Sequence, residues 1–331
     1  MRQLIWLGPC WVLLLIAQLE RVPVIAQGVD SGPEARAIAF LSREVPRWKR
    51  ENDCYSCHNN GDAARALLTA AARGYQIGSA IDDTLEWLRS PSRWNHNKTQ
   101  GGIDDKPLAR VQFAGALAIA VDHARASREA LREAAAMLVA DQKSDGSWQL
   151  DTSQSIGSPA TYGTAIATWL ARGSVVAADD RTLDAAASRA DAWLRSASVE
   201  TVLDAAAVVL GLDRAGDGPA QSQRRRALET VKRGQAPAGG WGPYVTSAPE
   251  VFDTAVVLLA LRAGSRDAAL VAPVYQSAEL RSAIARGRTF LIEQQARDGS
   301  WPETTRPANQ ESYAQRISTT GWALLALLET K

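Results

Sequence analysis

Cys54-Tyr55-Ser56-Cys57-His58 is the segment of the 331-residue chain whose residue types and spacing point most directly to chemistry. Cys-x-x-Cys-His is the attachment pattern of c-type haem: two thiols add across the porphyrin's vinyl groups, and the adjacent imidazole reaches the iron. The same residues allow two other fates, a plain disulfide or a site for zinc or another metal. The third cysteine, Cys10, lies in an N-terminal apolar run, so removal of that run leaves only the motif's pair. His96, in Trp94-Asn95-His96-Asn97, is the candidate for a second axial ligand, with an open sixth position as the alternative. His123 is read as too deep in an apolar helix to serve.

Covalent haem attachment belongs to exported proteins, and the N-terminus supplies an export signal. Arg2 gives a positive start, Leu4 to Leu19 is an uncharged and mostly apolar run, and Val24-Ile25-Ala26 is a small-residue cleavage pattern. Residues 1–26 are therefore expected to be a signal peptide, and the mature protein periplasmic or secreted and not membrane-spanning; an uncleaved membrane anchor is the alternative. Lys and Arg total 37 against 36 Asp and Glu, a formal net charge of +1 without a long basic block, which argues against nucleic acid as a partner. With 46% hydrophobic and 22% charged residues, the chain is not disordered.

The elements that position these residues follow from a repeat. Met137-Leu138…Gln142…Gly146…Trp148, Val231…Gln235…Gly239…Trp241 and Phe290-Leu291…Gln295…Gly299…Trp301 share one pattern: an apolar helix face, a Gln at the helix end, a Gly turn, a Trp. The Gln amide can satisfy free carbonyls and the Trp ring can cover the helix end. Each copy leads into a second, more apolar helix. Those segments align without gaps at 63–70, 114–121, 164–171, 205–212, 254–261 and 320–327. Their low charge predicts burial on most sides, whereas the helices before them carry Arg and Glu on one face. The reading is all-α: six outer–inner helical hairpins, beginning near 34, 79, 127, 179, 220 and 278, closed into an (α/α)6 toroid over residues 27–331 around a central cavity. Polar loops at 90–107, 149–160 and 301–316 are read as ordinary solvated connections, with a lid as the alternative.

Arg286-Gly287…Trp301 resembles the repeat motif of squalene–hopene cyclases, and the chain resembles the superfamily of terpenoid cyclases and protein prenyltransferase β-subunits over roughly residues 35–330. That resemblance implies an α/α toroid and a hydrophobic small-molecule ligand in its cavity. Pro249-Glu250-Val251-Phe252-Asp253-Thr254-Ala255 is similar to the cyclases' acidic segment. Glu250 stands for its first Asp, Asp253 for its last, and Phe252 occupies the proton donor's position. Glu250 and Asp253 are the remaining catalytic candidates, and Asp253 reads more readily as a helix N-cap, as do Asp62 and Asp204 at the same repeat position. The prenyltransferase resemblance offers zinc at Asp53-Cys54, out of register by one residue. The repeat alignment puts Cys54–His58 in an outer-to-inner loop, 52–61, level with the cyclase acid, so a haem would sit at or near the cavity mouth. The expected function is haem-dependent redox or binding with an electron-transfer partner. The alternatives are a terpenoid-cyclase-like enzyme on a polyprenyl or triterpene substrate and a non-catalytic binding module.

Overall fold

The computed structural model describes residues 32–97, 106–150, 163–213, 215–267, 271–306 and 312–331. The expected signal peptide at 1–26 and parts of the three polar loops lie outside the described residues.

Among the described residues, six outer helices alternate with six inner ones. The outer helices are α1 (Pro33–Asn52), α3 (Asp82–Leu88), α5 (Arg128–Asp141), α7 (Asp184–Ser196), α9 (Gly218–Arg233) and α11 (Ser277–Gln294). The inner ones are α2 (Ala64–Ala72), α4 (Lys106–Asp122), α6 (Gly163–Ala177), α8 (Val202–Gly211), α10 (Val251–Gly264) and α12 (Tyr313–Glu329). Composition sorts the two sets. In α8, Val202, Leu203 and the run Ala205 to Val209 are all buried; in α9, the Ala227, Leu228 and Val231 face is buried while the Arg225, Arg226 and Arg233 face is exposed. Inner helices pack in chain order, and α12 returns to α2, which closes the toroid. Among the described residues only isolated β-bridges occur, at Gln235–Trp241 and Trp241–Glu250.

The repeated motif is the joint between neighbouring hairpins. Gln142, Gln235 and Gln295 each donate from Nε2 to a carbonyl of their own turn and to one on the next outer helix, at Ala186, Ala283 and Pro33 respectively. The last of these joins α11 to α1 and completes the ring. Trp148, Trp241 and Trp301 donate from Nε1 to Leu138, Val231 and Leu291 carbonyls, each at 2.7 Å. Their backbone N–H groups donate to Thr168, Thr254 and Thr320 hydroxyls on the paired inner helix. Gly299 has φ +93°, and a Cβ there would strike the Arg36 carbonyl on α1, so glycine alone permits this approach.

One boundary differs from expectation. The segment 52–61 is not all loop: α1 runs to Asn52, and a π-helical stretch, His58–Ala63, opens the first inner helix. Ser56 starts it, its carbonyl accepting from Asn60 N–H and its hydroxyl from Asn59 N–H. The wider turn suits Gly61, where a Cβ would lie 2.7 Å from Gln112 Cβ.

Candidate functional site

The Cys54–His58 segment is held from three sides. Asp53 leaves α1 at φ 51°, a left-handed C-cap whose N–H donates to the Lys49 carbonyl. Asn97 clamps Tyr55 through both of its backbone groups, and the Tyr55 ring stacks on Trp87 at 4.4 Å. Asn59 ties Ser56 to the Glu44 carbonyl and to the Tyr313 hydroxyl, which in turn donates to the Glu44 carboxylate. His58 is enclosed by the Trp48 ring, edge-on at 5.0 Å, and by Tyr313 at 6.0 Å. Burial depresses its pKa from 6.5 to about 3, so the imidazole is neutral. Its Nδ1 lies 3.9 Å from Cys57 Sγ, while Nε2 is buried with no hydrogen-bond partner.

These residues fit haem in donor type. Two thiols not joined in a disulfide flank a neutral imidazole, and its Nε2 is a buried polar atom without the partner such atoms nearly always have. Among the described residues no three His, Cys, Asp or Glu side chains converge on one point. His96 is exposed and ends a 3-10 turn, Pro91–His96, next to the Asn97 that holds Tyr55. His123 is exposed just beyond the C-terminus of α4, on the surface rather than deep in the helix.

The acidic candidates divide. Asp253 is not the N-cap of α10; Glu250 holds that position, because the extended backbone turns helical after it. Asp253, fully buried in the first turn, pairs with Arg306, which also meets Glu250 at 3.4 Å. Thr305 donates to Glu250 as well. Burial raises the Asp253 pKa from 3.8 to about 7, against the pull of Arg306. Between those values the folded protein keeps a proton that the unfolded chain releases, so this group's contribution to stability falls as pH rises through that window. Asp253→Asn stays neutral throughout and should remove that slope; urea melts of both proteins at about pH 5 and about pH 8 check it, and identical slopes would reject it.

Asp62 acts differently from both Asp253 and Asp204, which forms a capping box with Thr201. Its carboxylate accepts from Gln112, Ser318 and Trp322, tying α4 and α12 to the first inner helix. Phe252 packs edge-on against Trp322 at 5.6 Å. Phe252, Asp62, Gln112 and Ser318 are all buried, so the interior on this side of Trp322 is packed where the cyclase resemblance predicted a cavity mouth. The cavity lies on the other side. It holds about 660 Å³, receives side chains from all six inner helices, most of them from C-terminal halves but Arg65 from the first turn of α2, and has Trp169 and Trp322 among its other walls. Neither His58 nor Asp253 lines it. The expectation that the Cys54–His58 segment borders the cavity is thus corrected: none of its residues lines this cavity, although Arg65 on the cavity wall lies one helical turn from Asp62. Sequence reasoning used Asp62 only as a repeat equivalent and missed Arg65; two charges inside the first apolar helix were the available signal.

Residues 175–309 match the family model of the squalene-hopene cyclase C-terminal domain. The chain is 31% identical over 115 residues to the terpene cyclase/mutase ntnI of Nectria sp, and 30% identical over 109 residues to the lanosterol synthase of Saccharomyces cerevisiae. These stretches are 34% and 31% of this chain, and only 14% and 13% of the relatives' lengths. The fold is similar to that of a single-residue variant of the type II terpene cyclase MstE from Scytonema, solved with geranylgeranyl dihydroxybenzoate as substrate: TM-score 0.54, 17% identity, covering 90% of this chain and 96% of that one. An unsaturated glucuronyl hydrolase from Bacillus sp. GL1 is similar too, at TM-score 0.58 and 12% identity, over 89% and 95% of the two chains. The matches support the terpenoid cyclase superfamily and an all-α toroid, a fold that carries unrelated chemistries. The matched segment contains Glu250, Phe252 and Asp253 and leaves out Cys54–His58.

Proposed function

We propose that this chain is an exported toroid protein that carries haem covalently on Cys54 and Cys57, with His58 as an iron ligand, and serves a redox or binding role with an electron-transfer partner. The observation that carries this reading is the buried, neutral, partnerless Nε2 of His58 inside a Cys-x-x-Cys-His run. Haem when bound supplies one-electron chemistry at its iron. The chain's own residues have narrower tasks. Cys54 and Cys57 would anchor the haem and His58 would ligate its iron, while Asn97 with Trp87 holds the intervening Tyr55 in place. Trp48 and Tyr313 keep water from the imidazole. His96 is the proposed second ligand, since Asn97 beside it grips the motif.

The test is expression in a host with cytochrome c maturation. Purified protein should give a c-type spectrum and keep its haem through denaturing electrophoresis; Cys54→Ala with Cys57→Ala should lose it. His96→Ala should convert low-spin iron to a form that binds carbon monoxide, with attachment intact. Colourless wild-type protein overturns the reading.

The second reading, a terpenoid-cyclase-like enzyme, is favoured by the family match over residues 175–309. Phe252 in the donor's position counts against it, because a phenyl ring has no proton to give, and Asp253 is engaged by Arg306.

A further inference from the structure

The cavity among the inner helices has a feature that packing does not explain. Arg65 reaches it from the first inner helix and is 7% exposed. Its guanidinium lies over the Trp322 ring at 4.1 Å, and its Nε and Nη2 make no hydrogen bond. The nearest carboxylate oxygen, Asp62 Oδ1, is 4.0 Å from Nη2, beyond hydrogen-bond reach. The other Asp62 oxygen is taken by Gln112, Ser318 and Trp322. A buried guanidinium with unused donors is costly unless something else accepts from them.

The surroundings restrict what that is. Trp169, Trp322, Leu259 and Leu325 contribute apolar wall, and Trp169 meets Trp322 at 6.0 Å. Toward solvent the charges are mixed: Arg262 donates to the Glu329 carbonyl, the Glu329 carboxylate pairs with Arg73 at 2.8 Å, and Asp122, Asp213, Arg172 and Arg266 also line the cavity. A mixed rim does not select an ion by sign; the buried cation does. The guanidinium's planar fork matches a carboxylate. Asp62 beside it repels each negative charge a ligand brings, so a monoanion is favoured over a dianionic phosphate. About 660 Å³ is the size of a small-molecule site.

We infer that this cavity binds a compact apolar monocarboxylate, its carboxylate on Arg65 and its hydrocarbon body against Trp169, Leu259 and Trp322. This site is distinct from the proposed haem site: none of Cys54, Cys57 and His58 lines the cavity, and it stands or falls without the Cys54 and Cys57 chemistry.

The test uses the full chain and two probes of equal shape, 2-naphthoate and 2-naphthylmethanol, titrated by calorimetry and by quenching of tryptophan fluorescence. Naphthoate should bind at least ~10-fold more tightly than the alcohol, the difference a charge-assisted hydrogen bond makes. Arg65→Gln should erase that preference. Leu259→Trp, at a partly exposed wall position, should fill the space and abolish binding of both probes while the circular dichroism spectrum stays helical, which keeps the test decisive where Arg65→Gln fails to fold. Equal affinity for the two probes, no binding of either, or full binding to Leu259→Trp overturns the inference. Loss of haem in the cysteine variants with naphthoate binding retained is the expected outcome for two independent sites.

Discussion

Trp301→Ala is expected to lower the free energy of unfolding by ~3–5 kcal/mol, the cost of truncating a large buried aromatic. Trp301 is fully buried, its Nε1–H donates to the Leu291 carbonyl at the end of α11, and its backbone N–H donates to Thr320 on α12. The side chain therefore covers the end of one helix while its backbone fixes the next. Its position adds to the effect, because Gln295 and Gly299 of the same turn dock on α1 and close the ring between the last hairpin and the first. Removing the ring leaves a cavity and an unsatisfied carbonyl together. Chemical denaturation followed by circular dichroism measures it; a change below ~0.5 kcal/mol is the size of an ordinary surface substitution and would remove the structural role given to the motif.

Asp62→Leu should be comparably damaging, at ~3–5 kcal/mol, because removing one member of a buried ionic cluster strands the rest. Three donors, Gln112 Nε2, Ser318 Oγ and Trp322 Nε1, lose their shared acceptor, and buried Arg65 loses the nearest negative charge. Asp62→Asn keeps an acceptor oxygen at the same place and should recover part of the loss. If Asp62→Leu melts like the wild type in urea, the four groups do not depend on this carboxylate.

The fold was legible because each hairpin states the same rules again. The Gln, Gly and Trp spacing in three copies, and six charge-poor segments after more charged ones, gave both the number of hairpins and which helix of each faces inward. What stayed hidden depends on distances between helices far apart in sequence. Asp253 reads as an N-cap because it precedes an apolar run, yet the chain turns helical after Glu250, and the carboxylate goes to Arg306, brought in from a loop 53 positions away. The π-helical start at His58 has no periodic signature, since one widened turn shifts the register without changing residue types. The packed part and the open part of the ring are likewise set by side chains meeting near its middle: Phe252 on Trp322, and Gly61 against Gln112. In the candidate site, spacing alone singled out Cys54, Cys57 and His58. The partners that hold the segment, Asn97, Asn59, Trp87 and Tyr313, had no local sign, because a clamp is recognised only when both halves are in place.

The central claim is covalent attachment at Cys54 and Cys57, and the intact mass of the denatured protein tests it most directly. Chain matured in a host with cytochrome c assembly should carry the added mass of one haem, with the modification mapped to the peptide holding both cysteines, and the double alanine variant should show polypeptide mass alone. Wild-type protein from that host with unmodified polypeptide mass, or with a Cys54–Cys57 disulfide in place of the adduct, contradicts the account.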